Sequence, residues 1–149
     1  MPSNIDTLYG HRMDDAEMDR LLEEEGLGVL SMAQDGVPYG LPLAFGYGGD
    51  DRLYFVFRGY SETGRKVTYA ERSQAASFLV YDVESPNEWR SVVVSGPLDR
   101  ISADEWSIAR EAMLDNAFHA QLLTDDEVES NPRVWALEVA EKSGRQVGQ

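Results

Sequence analysis

The apolar residues of this chain occur in short runs that turn sequences interrupt, and this spacing limits the folds open to it. Asp35-Gly36 separates runs at 27–33 and 37–47, which is a strong signal for a β-hairpin. Pro38 and Pro42 in the second run predict an edge strand or irregular pairing. Further strand-forming runs follow at 53–57, 75–83, 89–101 and 133–139. Such short, broken runs do not suit a doubly wound parallel sheet. Six antiparallel strands fit a small closed barrel better than a sandwich, because closure removes exposed edges.

Short helices are expected around this mainly β fold, at 14–25, 64–72, 102–117 and from Thr124. Asp14 or Asp15 can cap the first helix, and Ser102-Ala103-Asp104-Glu105 has the pattern of a capping box. The tail from Glu141 onward is polar, and no strand is predicted there. No repeat or linker divides the sequence, so residues 1–149 are expected to form a single domain.

The charge balance excludes several classes of partner. The chain has 149 residues, 27 acidic and 13 basic, with a net charge of −14. Nucleic acids and anionic membrane surfaces are bound chiefly by clustered Lys and Arg, so neither is expected as a partner. No apolar run approaches the roughly 18 residues that span a bilayer, and the N-terminus lacks a signal-peptide pattern, so the cytoplasm is the expected location.

Cysteine and histidine content limits the chemistry. The absence of cysteine excludes a disulfide framework, a thiol nucleophile and a cysteine-ligated metal. The two histidines, His11 and His119, lack ligand spacing, so no metal site is expected. Neither a phosphate-binding Gly-rich loop ending in Gly-Lys-Ser/Thr nor a Gly-x-Ser-x-Gly nucleophile elbow is present. The sequence therefore identifies no catalytic residue.

The basic residues are mostly arginine, with Lys66 and Lys142 the only lysines. An acidic, lysine-poor surface suits a protein that works in molar salt, where a screening length of roughly 3 Å suppresses self-repulsion. We therefore expect a halophilic protein. The alternative is an ordinary acidic protein of a mesophile.

One segment concentrates positive charge where the chain is otherwise acidic. Arg65 and Lys66 follow Gly64 at the start of a predicted helix, with the hydroxyls of Ser61 and Thr63 nearby. A helix N-terminus offers free N–H groups and a positive dipole, and two cations there favour a phosphate group. The alternative interpretation is a solvated pair of surface cations.

Five motifs in order give the chain a family resemblance. They are Asp35-Gly36-x-Pro38-Tyr39-x-x-Pro42-Leu43, then Leu53-Tyr54-Phe55, Gly64-Arg65-Lys66, Trp89-Arg90-Ser91-Val92 with Gly96 beyond, and Ser143-Gly144-Arg145. This order resembles the pyridoxamine 5′-phosphate oxidase-related FMN-binding proteins, over about residues 14–145. The resemblance implies a six-stranded antiparallel split β-barrel and a homodimer, with FMN in each of two clefts at the subunit interface.

The resemblance also assigns expected roles to residues. Arg65 and Lys66 would hold the FMN phosphate with help from Arg58, and Phe57 would lie beside the ribityl chain. Pro42, Leu43 and Ala44 would lie along the isoalloxazine ring, and backbone N–H groups near Leu43 and Ala44 would donate hydrogen bonds to it. Ser91 stands where the oxidases proper carry a flavin-binding glutamine, and Arg145 would approach the cofactor, from either subunit. Arg90 is a candidate for orienting an anionic substrate. Each of the apolar residues could instead be plain barrel core.

Departures from the family pattern shape the functional prediction. Val56 replaces a histidine found in many small members, Ser91 replaces the glutamine, and only Arg145 matches the substrate-binding residues near the C-terminus of the oxidases. Vitamin B6 oxidation is therefore not supported. The prediction is an FMN-dependent oxidoreductase that acts on an unidentified small organic substrate. The alternatives are a deazaflavin-dependent enzyme, a non-catalytic flavin carrier or sensor, and a cofactor-free dimeric scaffold.

Overall fold

The strands of the fold coincide with the apolar runs of the sequence. The computed structural model describes residues 10–49, 51–56, 70, 75–116 and 134–148. The strands in this part of the chain are β1 (His11–Arg12), β2 (Leu27–Gln34), β3 (Val37–Ala44), β4 (Gly46–Tyr47), β5 (Arg52–Val56), β6 (Ala76–Ser85), β7 (Glu88–Gly96), β8 (Leu98–Arg100), β9 (Val134–Glu138) and β10 (Glu141–Val147). The described ranges also include the helices α1 (Asp15–Glu24) and α2 (Trp106–Leu114), and a 3-10 turn, Ala103–Glu105, precedes α2. The protein is mainly β with peripheral helices, as predicted.

The strands form two antiparallel sheets that share two bent segments of chain. The larger sheet has the order β1-β10-β7-β6-β2-β3, and the smaller has the order β4-β5-β9-β8. Phe45 separates β3 from β4, and Pro97 separates β7 from β8, so each of these two segments contributes a strand to both sheets. Proline lacks an N–H donor, which makes Pro97 a natural break in a strand ladder. The six predicted segments thus form the six-stranded antiparallel split β-barrel.

The prediction of a closed barrel is wrong, because the hydrogen-bonded strands that the structure describes do not form a closed ring. Among the described residues, neither sheet closes on itself, because the ladders stop at Phe45 and Pro97. The larger sheet also extends past the barrel, since β10 pairs with β7 and β1 pairs with β10. The barrel is therefore split between its two sheets.

Two apolar clusters hold the sheets together. The first fills the barrel interior with side chains of both sheets, among them Leu30, Phe78 and Val92 from the larger and Phe55 and Leu137 from the smaller. The second lies between the smaller sheet and α2 and is formed by Ala44, Tyr54, Val56, Ala109, Ala112, Met113, Val134 and Ala136. Strands β5 and β9 contribute alternate residues to both clusters and are therefore covered on both faces.

Helix α1 lies against the larger sheet through Met18, Leu21 and Leu22, which are buried. Its predicted start is confirmed by a capping box: the Glu17 N–H donates to Asp14 Oδ1 over 2.8 Å, and the Asp14 N–H donates to Glu17 Oε1 over 3.0 Å. The hydrogen bond from the Asp14 backbone holds the pKa of Glu17 below its usual value.

Two local predictions were wrong. Ser102 makes no side-chain capping bond, and the chain first forms a 3-10 turn before α2 begins at Trp106. The polar tail also contains strand β10. Its polar residues suit a strand outside the barrel core, because they reach α1 on one side and an open cleft on the other.

Candidate functional site

The outer face of the larger sheet carries most of the described residues that the family resemblance singles out. Side chains alternate across a strand, so the buried Phe78, Val80 and Val92 mark the inner face of the sheet. Leu79 and Ser91 therefore lie on the outer face. The strand register extends this outer face across the whole sheet.

Two rows of cross-strand neighbours map the outer face. One row runs from β1 to β6 through Arg12, Arg145, Ser91 and Tyr81. The next row runs from β10 to β3 through Ser143, Val93, Leu79, Val29 and Pro42. Pro42, Ser91 and Arg145 thus share one face, although they stand on three different strands.

Strand β3 provides the predicted contacts to the flavin ring. Pro42 is exposed, and Ala44 lies on the same outer face but is covered by the α2 cluster. Leu43 points the other way and packs against the barrel interior. In the described part of the chain β3 is an edge strand with β2 as its single neighbour, which confirms the edge position predicted from its prolines. An edge strand leaves half of its N–H groups without a ladder partner, so backbone donation from this strand to a ligand is feasible.

Arg90, the predicted substrate residue, lies on the inner side of the sheet near the end of α1. Its guanidinium forms ion pairs with Asp82 at 3.1 Å and Glu24 at 3.3 Å. Burial lowers the pKa of Arg90, but the bonds to Asp82 and Glu24 outweigh this effect and leave its pKa raised. The structure does not bring Arg90 together with Ser91 and Arg145, which lie on the opposite face.

A cleft of about 470 Å³ lies beside β10 and contains both Ser91 and Arg145. Its lining is completed by Arg12, Met13, Met18, Val93, Lys142, Ser143 and Gly144. This volume is within the range of small-molecule sites. A concavity of similar volume lies along α2, beside Ser107, Arg110, Glu111, Leu114 and Asp115, and contains none of the predicted site residues.

Gly144 allows β10 to approach α1 at the base of the cleft. A Cβ atom at this position would lie 2.8 Å from Met13 Sδ and 3.0 Å from Met18 Cγ. On the same strand, Lys142 Nζ lies 3.3 Å from Asp19 Oδ1 and 3.8 Å from Asp15 Oδ1. These carboxylates largely compensate the charge of Lys142.

Arg145 is fixed by a different contact. Its Nη1 donates to the carbonyl oxygen of Gly10 over 3.1 Å, which joins β10 to the chain just before β1. A carbonyl oxygen carries no formal charge, so this bond orients the guanidinium and leaves its positive charge available to an anion.

The predicted phosphate clamp lies outside the described residues. This applies to Arg65 and Lys66, and equally to Phe57 and Arg58. Their roles remain predictions.

Sequence reasoning assigned no role to three polar residues of the cleft: Arg12, Lys142 and Ser143. A signal was present for two of them, since Ser143 belongs to the Ser143-Gly144-Arg145 motif and Lys142 precedes it directly. Arg12 is distant in sequence and becomes a neighbour of Arg145 only through the pairing of β1 with β10.

Most of the chain matches the sequence pattern of one protein family. The model of the pyridoxamine 5′-phosphate oxidase family matches residues 14–146. The chain belongs to the pyridoxamine 5′-phosphate oxidase family. A search of curated proteins found no match.

Solved structures share the fold of this family member. An FAD-binding protein from Mesorhizobium loti superposes with a TM-score of 0.73 at 23% identity, covering 93% of this chain and 97% of its own. An FAD-binding protein from Mycobacterium smegmatis gives a TM-score of 0.69 at 18% identity, with coverages of 91% and 97%. A flavocytochrome from Azotobacter vinelandii gives 0.66 at 22% identity, with coverages of 91% and 68%. At these identities the likeness establishes the fold alone.

No helix in the described ranges is both long and apolar enough to cross a membrane.

Proposed function

We propose that this chain binds a flavin nucleotide, FMN, and acts as an oxidoreductase on a small organic substrate. The observation that carries the proposal is the shared outer face of the larger sheet. Pro42 on the edge strand, Ser91 on β7 and Arg145 on β10 all lie there, in a chain of the pyridoxamine 5′-phosphate oxidase family. The flavin would supply the hydride or electron transfer, and the protein would supply binding and orientation.

The chemistry of this face fits a flavin. Its apolar part, formed by Val29, Leu79 and Val93, suits the flat isoalloxazine ring, and the N–H groups of edge strand β3 suit the polar edge of that ring. Ser91 offers a hydroxyl group in place of the longer glutamine of the oxidases. Arg65 and Lys66, with Arg58, are proposed to neutralise the phosphate, and Phe57 to pack on the ribityl chain.

We further propose that two copies of the chain complete the site as a homodimer. Strand β3 is separated from β7 by β2 and β6, which at the usual strand spacing places Pro42 about 14 Å from the β7 strand. Contacts from β3 and from Ser91 or Arg145 to one flavin ring are therefore readily made by different subunits.

The apolar character of the outer face supports the same arrangement. Four large apolar side chains there are strongly exposed: Leu27 at 47%, Tyr81 at 53%, Val83 at 62% and Val93 at 41%. A contiguous apolar patch on a sheet face is typical of a protein interface. Covering this patch with a second copy would remove it from water.

A second candidate for the cofactor is FAD, since the M. loti and M. smegmatis structures are those of FAD-binding proteins. FAD contains the isoalloxazine, ribityl and first phosphate groups of FMN, so the contacts proposed above serve either nucleotide.

Identification of the bound chromophore tests which cofactor the protein carries. The purified protein is denatured by heat, and the released chromophore is identified by chromatography and mass spectrometry. FMN is the expected result. Release of FAD would mean that the protein is a flavoprotein that carries the second candidate cofactor. A deazaflavin, or no chromophore even after incubation with FMN and FAD, would contradict the proposal. Turnover with NAD(P)H and quinone, nitro or dye acceptors then separates an enzyme from a carrier.

The interface is tested by a charged substitution. Val83→Asp on the outer face should weaken dimerisation and flavin binding together, because it buries an unpaired carboxylate in the proposed interface. Val37→Asp is the matched control, since Val37 is 50% exposed at the β2–β3 turn. Equal dimer and flavin content in both variants would contradict the proposed interface.

A further inference from the structure

Two methionine side chains, Met13 and Met18, lie where helix α1 meets strand β10. Both are almost fully buried, at 7% and 6% exposure, yet both form part of the lining of the cleft beside β10. They belong to the apolar cluster of the barrel interior, not to the outer face of the sheet. The described lining of the cleft contains no other sulfur atom, and the chain has no cysteine. The pair is therefore the oxidisable sulfur of this cleft.

The contact between the two methionines and β10 has no spare room. The Met13 N–H donates to the carbonyl oxygen of Gly144 over 2.9 Å, which fixes Met13 against the strand. A Cβ atom on Gly144 would lie 2.8 Å from Met13 Sδ and 3.0 Å from Met18 Cγ. Because these separations are too short even for a methyl group, an oxygen atom added to sulfur on this side requires movement of α1 or of β10.

Polar contacts lie on both sides of the methionine contact and complete the join between α1 and β10. Lys142 Nζ lies 3.3 Å from Asp19 Oδ1, and the side-chain amide of Gln146 donates to Glu17. Because side chains alternate along a strand, Lys142 and Gln146 share one face of β10 with Gly144. The apolar contact is thus central to the join, and it is the one that oxidation of sulfur would change.

We propose that Met13 and Met18 form a methionine-oxidation site that controls how tightly α1 is held against β10. Hydrogen peroxide is the oxidant. It transfers one oxygen atom to the thioether sulfur, which loses two electrons and becomes the sulfoxide, while the peroxide is reduced to water. The sulfoxide is polar and larger than the thioether, so it no longer fits the apolar contact at Gly144 and the helix loosens.

Oxidation at this site would also act on the cleft, because Met13 and Met18 line it together with Ser91 and Arg145. Loosening of α1 should therefore lower the affinity for flavin. This effect rests on the proposed function, as does a supply of peroxide from reduced flavin that reacts with oxygen. The oxidation of the pair and the loosening of α1 are independent of the flavin.

Oxidation rates of the individual methionines test the site. The full-length protein as purified is treated with hydrogen peroxide in high-salt buffer, and tandem mass spectrometry follows sulfoxide formation at each methionine. Met32 and Met113, which are 3% and 0% exposed and outside the described lining of the cleft, are the internal controls. Met13 and Met18 should oxidise at least fivefold faster than either control. A smaller difference would overturn the proposal.

Hydrogen exchange tests the effect on α1. Oxidation should raise the exchange rates of the amides of Asp15–Glu24 at least tenfold, and methionine sulfoxide reductases should restore their protection. The double variant Met13→Leu, Met18→Leu keeps an apolar contact and should show no change after the same peroxide treatment. Met32→Leu is the matched control and should respond as the parent does. Unchanged exchange in the oxidised parent, or an equal rise in the double variant, would overturn the proposal.

Titration with FMN separates this proposal from the proposed function. The oxidised parent should bind FMN at least fivefold more weakly than the untreated protein, and the double variant should keep its affinity after peroxide treatment. Unchanged affinity of the oxidised parent would overturn the control of the cleft. A protein that binds no flavin would contradict the proposed function, while the oxidation rates and the exchange rates would still decide whether the methionine site exists.

Discussion

Tyr47 connects three elements through a single hydroxyl group. Its Oη lies 2.6 Å from Asp19 Oδ1, and the same Asp19 oxygen lies 3.3 Å from Lys142 Nζ. Strand β4, helix α1 and strand β10 are thereby joined. Burial, and then the hydrogen bond to Asp19, raise the pKa of Tyr47 well above its usual value, so the hydroxyl keeps its proton throughout the ordinary pH range.

Removal of this hydroxyl should destabilise the protein moderately. Tyr47→Phe deletes a hydrogen bond to a charged group, and we expect the free energy of unfolding to fall by about 1–2 kcal/mol, since Asp19 retains Lys142. Urea unfolding at fixed salt measures the change. Ser107→Ala, which removes an exposed hydroxyl group on α2, is the control and should have little effect. Equal stability of the two variants would show that the Tyr47 bond contributes nothing net.

Glu25, at the end of α1, carries an unfavourable charge. Its pKa is raised from 4.5, first by burial and then by Asp82, with Glu24 and Glu84 adding to the effect and Arg90 opposing it. A carboxyl group whose folded-state pKa is raised destabilises the fold when it is ionised. The cost is complete above the folded-state pKa and disappears as the pH falls below the unfolded value.

Replacement of this carboxylate should therefore stabilise the protein at neutral pH. We expect Glu25→Gln to raise the Tm at pH 7 by about 1–3 °C, and the difference should vanish as the pH falls below 4.5. Thermal unfolding as a function of pH measures both effects. A lower Tm for the variant at pH 7 would contradict the assigned sign.

At the scale of the element, the two bent segments decide how the sheets join. The bend between β7 and β8 is bonded to the end of β9 and to the residues just after it. The N–H of Glu138 donates to the Pro97 carbonyl over 3.0 Å, and the N–H of Ala140 donates to the Ser95 carbonyl over 2.9 Å. Gly96 lies between these contacts. A Cβ atom on Gly96 would collide with the carbonyl oxygen of Glu138 and lie 3.0 Å from the Ala140 nitrogen.

Substitution of this glycine should disrupt the join between the sheets. Gly96→Ala places a methyl group against backbone atoms that cannot rotate away, and we expect a loss of about 3 kcal/mol or more, or failure to fold. Gly40→Ala on β3 is the matched control, because the nearest atom to its Cβ would be at an ordinary 3.7 Å. Unfolding by urea compares the two, and similar stability would contradict the close approach at Gly96.

The same elements show what the sequence can and cannot predict. The β2–β3 hairpin was predictable, because Asp35 and Gly36 take the positive φ angles, 52° and 78°, that such a turn requires. Helix α1 was predictable from Asp14 and the spacing of Met18, Leu21 and Leu22. Strand β10 was not predictable, since its pairing with β7 is a long-range contact that leaves no apolar alternation in a polar segment.

Only some residues of the candidate site were predictable from the sequence. Family motifs located Ser91 and Arg145, and the register places them side by side. The opposite orientation of the adjacent Arg90 follows from strand alternation, but its ion pairs with Glu24 and Asp82 depend on the packing of α1 against the sheet. Arg12 enters the cleft through β1, a strand of two residues that carries no sequence signal.

At the scale of the whole molecule, the net charge of −14 is the dominant feature. Self-repulsion of this size weakens a compact state in dilute buffer, and the screening length falls from about 10 Å at 0.1 M salt to about 3 Å at 1 M. We expect the Tm to rise continuously with KCl over this range, as measured by calorimetry. Sucrose is the uncharged control and should stabilise the protein less. No stabilisation by KCl would contradict a halophilic character.

We propose that a flavin nucleotide is bound where two copies of the chain meet. Size-exclusion chromatography with light scattering, recorded together with flavin absorbance in high-salt buffer, tests it most directly. We expect flavin to elute with a species of twice the 16.7 kDa chain mass, at one flavin per chain. A species of single-chain mass that retains a full complement of flavin would contradict the claim.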